Sequence, residues 1–307
     1  MPSLCFRSEL QPIVIYHDNC LDGFTAAWIA DKALTGLHKK PMLVPDTYTT
    51  GLCTKSIPYW PFDAEGCDIY IVDFSYPGEI VSELCHLANS VTIIDHHASA
   101  IKKLNEAFPD LESIPDNLTM ILDTSRSGCG LTWEFFNPFY IAPKLVEYVQ
   151  DRDLWKFLYP ETRAFCEALF MAPMNIDSWT FLAEEKNTDI LVQDGNILLR
   201  AKEGQIASLL PNIRMCWINN HVVPVVNCPA FLASDVGNRI MQELDPPFSA
   251  TYFDGPAYRH WSLRSTDKAL DVSVIAESME GGGHRNAAGF TTEIGFDFAP
   301  ALPIIPF

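Results

Sequence analysis

The run Val91-Thr-Ile-Ile94 ends abruptly in Asp95, His96 and His97. A β-branched run of this kind reads as a buried strand that delivers polar groups at its carboxyl end. In an open α/β sheet, that end is where ligands bind. Successive strand side chains alternate between faces, so two adjacent histidines cannot share one face and the loop must place at least one of them.

The same arrangement recurs along the chain. Pro12–Tyr16 reads as a strand running into His17-Asp18-Asn19-Cys20-Leu21-Asp22-Gly23, followed by a helix over Phe24–Leu34. Asp68–Val72 reads as a strand ending in Asp73, with a turn at 76–78 and a helix over Glu79–Ala88. Val146–Gln150 leads into Asp151-Arg152-Asp153 in the same way. Strands alternating with helices predict βαβ units and a parallel sheet, with the polar groups converging on one edge. A single Asp at a strand end is ordinarily a cap or turn former, and Asp123 and Asp151 read so. Asp22, Asp73, His96 and Asp153 taken together do not. Clustered carboxylates repel one another, and cations are the usual compensation. Imidazole and carboxylate without paired thiols suit Mn²⁺ or a similar ion rather than structural zinc.

A chain of 307 residues with 48% hydrophobic and 20% charged content has room for two globular domains. No apolar run is long enough to span a bilayer, and residues 1–9 lack the apolar core of a signal peptide. Nine cysteines without a Cys-x-x-Cys pair point to reduced thiols and a cytoplasmic location. Net charge is −18, with 13 Lys and Arg against 28 Asp and Glu in residues 1–199. Long nucleic acid is gripped by a basic stripe, and none is visible. The balance favours a small phosphorylated substrate.

Beyond the alternating region, Thr162–Phe170 and 178–210 read as helices, the second interrupted near Asp194-Gly195. A strand-rich unit follows, with strands over Arg214–Asn219, Val222–Asn227, Ser249–Phe253 and Tyr258–Arg264, and a helix over Asp235–Leu244. Consecutive glycines at 281–283 can adopt positive φ and bring backbone amides to an anion, and Arg264 and His284 would add charged donors. Arg126–Gly130, before a helix, fits either a phosphate-binding helix start or an ordinary cap. Trp28, Trp133, Trp155, Trp179 and Trp261 read first as core. The Pro-rich tail from Phe298 reads as extended on its own domain.

These residues and spacings resemble the DHH phosphoesterase superfamily, named for the Asp95-His96-His97 tripeptide, which includes RecJ-like exonucleases and nanoRNases. Ser262–Ser265, Asp271–Ala276 and Gly281–Phe290 resemble its companion DHHA1 domain, so the likeness runs from about Ile13 to Phe290. The resemblance implies an α/β chain: a parallel-sheet, Rossmann-like DHH domain at 1–185, a helical connector at 186–210, and a smaller mixed α/β DHHA1 domain at 211–307. It implies two divalent ions, Mn²⁺ or Mg²⁺. Asp73 matches the bridging aspartate, while Asp22, His96 and Asp153 match further ligands. Asp95 would support the site, and His97 would contact the phosphate or assist the leaving group. His17 and Asp18 both stand near the leading ligand, with imidazole the commoner metal donor. Cys20 replaces a family aspartate, and reads as a thiolate ligand, a bystander, or the mark of a weakened first site.

On the same resemblance, Arg264, Gly282, Gly283 and His284 would hold the terminal phosphate of a short oligonucleotide or small nucleotide, in a cleft between the domains. The expected reaction is hydrolysis of that substrate, without a membrane or a long-DNA groove, and a homodimer is compatible with it. Two other readings stand beside it. One is a pyrophosphate or polyphosphate hydrolase, which the glycine motif counts against. The other is a catalytically weak nucleotide-binding regulator, which Cys20 motivates.

Overall fold

The computed structural model describes residues 10–47 and 60–301. Residues 1–9, on which the signal-peptide expectation rests, and residues 302–307 of the tail lie outside them. The chain divides into two compact units, Met1–Leu199 and Arg200–Phe307. No helix among the described residues is long and apolar enough to cross a membrane.

The first unit is built on five parallel strands: β1 (Ile13–His17), β2 (Met42–Asp46), β3 (Asp68–Val72), β4 (Ser90–Asp95) and β5 (Leu118–Leu122). Their order is β2-β1-β3-β4-β5. The order reverses between β1 and β3, and a doubly wound sheet opens its ligand crevice at such a switch point. The strands are apolar on both faces because both are covered. Val14, Val72 and Ile94 belong to one core, with α1 (Leu21–Gly36), α4 (Gly128–Phe136), α5 (Lys144–Asp153), α6 (Thr162–Leu169) and α7 (Ile176–Leu182). Ile13, Ile15, Ile69, Ile71, Val91 and Ile93 face the other core, with α2 (Gly78–Leu87) and α3 (Ala98–Ala107). Each fully buried Ile contributes about 1.5–3 kcal/mol of transfer free energy. Met42–Asp46 carries Pro45, which a strand tolerates at a sheet edge, and β2 is an edge.

Two local expectations are corrected. Val146–Gln150 is not a strand but the body of α5, which begins after Pro143. Its buried residues, Leu145, Val146, Tyr148 and Val149, recur at helical spacing, and so short an apolar run fits either period. The helical stretch after 176 is interrupted at Ala183–Glu184, and α8 (Glu185–Leu209) runs unbroken through Asp194-Gly195. Gly195 serves close packing instead: a Cβ there would lie 1.7 Å from the Ala164 carbonyl oxygen in α6.

The second unit holds a six-stranded mixed sheet: β6 (Arg214–Ile218), β7 (His221–Asn227), β8 (Ser249–Asp254), β9 (Tyr258–Arg264), β10 (Gly282–His284) and β11 (Ala287–Glu293). The order is β10-β11-β9-β8-β7-β6, antiparallel except for β7–β8. Helices α9 (Ala233–Leu244) and α10 (Val272–Glu277) complete the unit. The start of the tail lies extended along β6, where Trp217 N–H donates to Ala299 O and Ala301 N–H to Met215 O. Trp261 is a core residue, 2% exposed, with its indole N–H on Thr292 Oγ1.

Candidate metal centre

The carboxyl ends of β1, β3 and β4 and the first turn of α1 bring His17, Cys20, Asp22, Asp73, His96 and His97 together, and α5 adds Asp153 from its last turn. Three sets of potential ligand atoms each lie within 4.8 Å of one another: His17, Cys20 and Asp73; Asp73, His96 and His97; Asp22, His96 and Asp153. His96 Nε2 stands 3.1 Å from Asp73 Oδ1, 3.5 Å from Asp153 Oδ2 and 3.7 Å from Asp22 Oδ2. His17 Nδ1 is 3.7 Å from Asp73 Oδ2. The cluster includes His17 and leaves Asp18 aside. Asp18 accepts the Asn19 side-chain amide and makes no cap to α1.

Asp73 occupies a left-handed backbone conformation, φ +55°, immediately after β3. Such strain in a non-glycine residue costs on the order of 1 kcal/mol and is over-determined by its surroundings. Here the Asp73 amide is fixed to Ile94 O at 2.9 Å. Gly128 lies against the side chain: a Cβ there would come within 2.5 Å of Asp73 Oδ1. Gly23 has a similar duty, since a Cβ would meet His17 O at 2.2 Å.

Asp22 is buried at the N-terminus of α4. Its Oδ1 accepts from Ser127 Oγ and Cys129 N–H, and its Oδ2 from Gly128 N–H. The Arg126–Gly130 helix start therefore does hold an anion, but that anion is the chain's own carboxylate. Asp95 belongs to none of the three ligand sets and holds His97 instead. Its Oδ2 accepts from Ser75 Oγ, and its Oδ1 from the amides of His96 and His97 and from His97 Nδ1 at 2.8 Å. Burial would lower the His97 pKa, but the Asp95 contact and the Asp73 charge raise it, so the ring can carry a proton on Nε2 as well as on Nδ1. Asp151 is structural, accepting from Leu158 N–H, Tyr159 N–H and Thr162 Oγ1, and Asp123 closes a turn on Ser125.

Burial and the charges of Asp73 and Asp153 push the Asp22 carboxyl well above its ordinary range. Burial also raises Asp153, with Asp73 adding to the effect and His96 opposing it. At Asp73 burial acts the same way, but the surrounding His17, His96 and His97 rings win and hold it well below the usual carboxylate range. Burial would lower His96, yet Asp73, Asp153 and Asp22 raise it to about 10. A proton on His96 thus offsets the carboxylate charge.

The residues fit a divalent ion. Asp73 Oδ1 is buried and accepts no hydrogen bond among the described residues, despite its 3.1 Å approach to His96. The donors are hard oxygens and imidazole nitrogens, with one sulfur. Bound ions would be held by His17, Asp22, Asp73, His96 and Asp153, with Cys20 beside them. An ion taken up through His96 must displace its proton. Mn²⁺ affinity should therefore rise roughly tenfold per pH unit for each proton displaced, from neutrality towards about pH 10. Calorimetric titrations in buffers of different ionisation enthalpy would show the released proton; affinity that is flat with pH would contradict it.

A cleft of about 100 Å³ opens beside the cluster, lined by Cys20, Asp22, Asp153, Arg152 and Phe170 among others. Arg152 stacks on the Phe170 ring at 4.5 Å. In the sequence Arg152 is only the middle of an acidic triplet, and nothing there ties it to Phe170.

The second-unit residues are placed differently from the glycine-nest expectation. Gly282, Gly283 and His284 pair with Gly289, Ala288 and Ala287 as a strand, and only Gly283 of the three glycines has positive φ, +141°. Gly281 N–H is taken by Ala276 O. The glycines permit close sheet packing: a Cβ at Gly281 would lie 2.1 Å from Gly289 O. His284, Ala287 and Arg264 fall in one row of the sheet, so the imidazole and the guanidinium side chains share a face with a small residue between them. Arg264 donates to Leu263 O and Ser234 Oγ.

No family model matches the chain. It is 30% identical over 296 residues to uncharacterized protein R106 of Acanthamoeba polyphaga mimivirus, covering 92% of this chain and 68% of the viral protein. It is 25% identical over 230 residues to oligoribonuclease NrnB of Bacillus subtilis, covering 69% of this chain and about half, 55%, of NrnB. Two solved structures share the fold at 14% identity. One is the DHH domain of a member of the S1p family of ribosomal proteins, with a TM-score of 0.59 and coverage of 92% of this chain and 83% of that one. The other is the pGpG-specific phosphodiesterase PggH of Vibrio cholerae, with a TM-score of 0.50 and coverage of 93% and 94%. With its Asp95-His96-His97 strand end, switch-point cluster and glycine-bearing second sheet, the chain belongs to the DHH/DHHA1 phosphoesterase superfamily.

Proposed function

We propose that this chain is a Mn²⁺- or Mg²⁺-dependent phosphoesterase, holding two ions and hydrolysing short oligonucleotides or small phosphorylated nucleotides. The observation that carries the reading is the buried Asp73 carboxylate, shared by two donor sets and close to His96. The name of the relative NrnB, an oligoribonuclease, supports a short substrate, as does the acidic balance of −18. Bound ions would supply Lewis acidity toward the phosphoryl oxygens and acidify the attacking water. The chain's own residues do the rest. Asp22 is preset by the Ser127–Cys129 backbone and hydroxyl donors. Asp95 holds His97 so that Nε2 can contact the phosphate or pass a proton to the leaving oxygen. Residues 1–185 carry this chemistry, 186–210 connect, and 211–307 bind substrate.

The discriminating assay presents a 5′-phosphorylated dinucleotide, bisphosphorylated adenosine and pyrophosphate to the Mn²⁺-loaded protein. The dinucleotide should turn over fastest, and preference for pyrophosphate would replace this reading with the polyphosphatase one. In the second unit, Arg264, Gly282, Gly283 and His284 are assigned to the terminal phosphate. Two guanidinium nitrogens of Arg264 are engaged at Leu263 and Ser234, but its five N–H donors exceed those two contacts. Arg264→Ala should raise KM more than it lowers kcat, at a cost of about 1.5–3 kcal/mol, with metal content unchanged. An unaltered KM, or loss of metal, would remove Arg264 from this role.

A further inference from the structure

We propose that the centre is chemically asymmetric: His17, Cys20 and Asp73 form a thiolate-bearing position for a thiophilic divalent ion such as Zn²⁺, while Asp22, His96 and Asp153 form a position for Mn²⁺ or Mg²⁺. The inference deepens the phosphoesterase reading and rests on it. Each set gathers its ligand atoms within 4.8 Å, and Asp73, which also groups with His96, links the two. Their chemistry differs by one sulfur. Thiolate donors select zinc and other softer ions, whereas carboxylate with imidazole accepts manganese or magnesium.

Cys20 does not sit as a structural cysteine does. Buried Cys129 and Cys166 direct their thiols to the backbone carbonyls of Val146 and Tyr148. Cys20 instead gathers with His17 and Asp73, their ligand atoms within 4.8 Å of one another, and lines the cleft with Asp22 and Asp153. It stands at the N-cap position of α1 and makes no side-chain cap hydrogen bond to the helix. Asp73, 1% exposed, ties this position to the rest of the cluster: its Oδ2 stands 3.7 Å from His17 Nδ1, and its Oδ1, 3.1 Å from His96 Nε2, accepts no hydrogen bond among the described residues.

The test is spectroscopic. Full-length protein stripped of metal and titrated with Co²⁺ should develop a thiolate-to-cobalt charge-transfer band in the near ultraviolet. Cys20→Ser should lose that band while retaining cobalt d–d absorption, and Cys85→Ser, altered at a buried thiol remote in sequence, should keep it. After equilibration with equal Zn²⁺ and Mn²⁺, wild type should hold both metals. Cys20→Asp, which removes the sulfur at similar volume, should prefer zinc over manganese at least about tenfold less. Cobalt bound without the band, a band that survives Cys20→Ser, or equal zinc preference in wild type and Cys20→Asp would overturn the asymmetry and leave the phosphoesterase reading standing. Failure to retain any divalent ion would overturn both.

Discussion

Asp73→Asn is expected to lower turnover of a short phosphodiester by at least about three orders of magnitude, roughly 4 kcal/mol of transition-state stabilisation. Asp73 is the residue shared between the His17–Cys20 set and the His96–His97 set, so both ion positions depend on it. The amide keeps the size of the carboxylate and, like aspartate, tolerates the left-handed conformation at φ +55°. Alanine would add backbone strain to the chemical loss. The fold should survive the substitution. In the metal-free chain the His17, His96 and His97 rings hold the Asp73 carboxyl below its ordinary range, so removing its charge gives up that stabilisation even as it relieves repulsion with Asp22 and Asp153. Bound metal should fall with activity, and the unfolding temperature of the metal-free protein at neutral pH should fall modestly, because the native state favours the charged Asp73. Full metal content together with full activity would remove Asp73 from the centre.

Gly128→Ala should be nearly as damaging by a different route. The new Cβ would lie 2.4 Å from Asp73 Cβ and 2.7 Å from its Cγ, distances that real contacts do not show. Either Asp73 or the start of α4 must move. Movement of α4 breaks the Gly128 and Cys129 amide contacts that preset Asp22. Overpacking of this kind costs about 1–3 kcal/mol of stability, and displaced ligands should lower metal affinity by at least about tenfold. Gly204→Ala is the control, because a Cβ there meets nothing within 4 Å. Thermal unfolding and metal analysis of the two variants should diverge. Matching behaviour would show that Gly128 is not the spacer proposed here.

Much of the centre was legible in the sequence because strand ends announce themselves. Asp73 and the Asp95-His96-His97 tripeptide each follow a β-branched run whose two faces are both buried, and that signal needs no tertiary information. Asp153 reaches Asp22 and His96 from the end of a helix, not from a strand end. Val146 and Val149 are compatible with either period, and the covering of the sheet made α5 a helix. The carboxylate that occupies the α4 N-terminus was beyond sequence reach, since Asp22 and Gly128 stand 106 residues apart. Gly195 misled for a related reason: a glycine that lets two helices touch looks the same as one that ends a helix. Arg152 went unremarked because its value depends on Phe170, on which it stacks, and on the cleft that both line.

The most direct measurement takes the full-length chain stripped of metal, reloads it with Mn²⁺, and follows a 5′-phosphorylated dinucleotide by chromatography. Cleavage to mononucleotides that appears with the metal, disappears with chelator and is absent in Asp73→Asn is the predicted result. A dinucleotide left intact by protein shown to hold its metal would contradict the account.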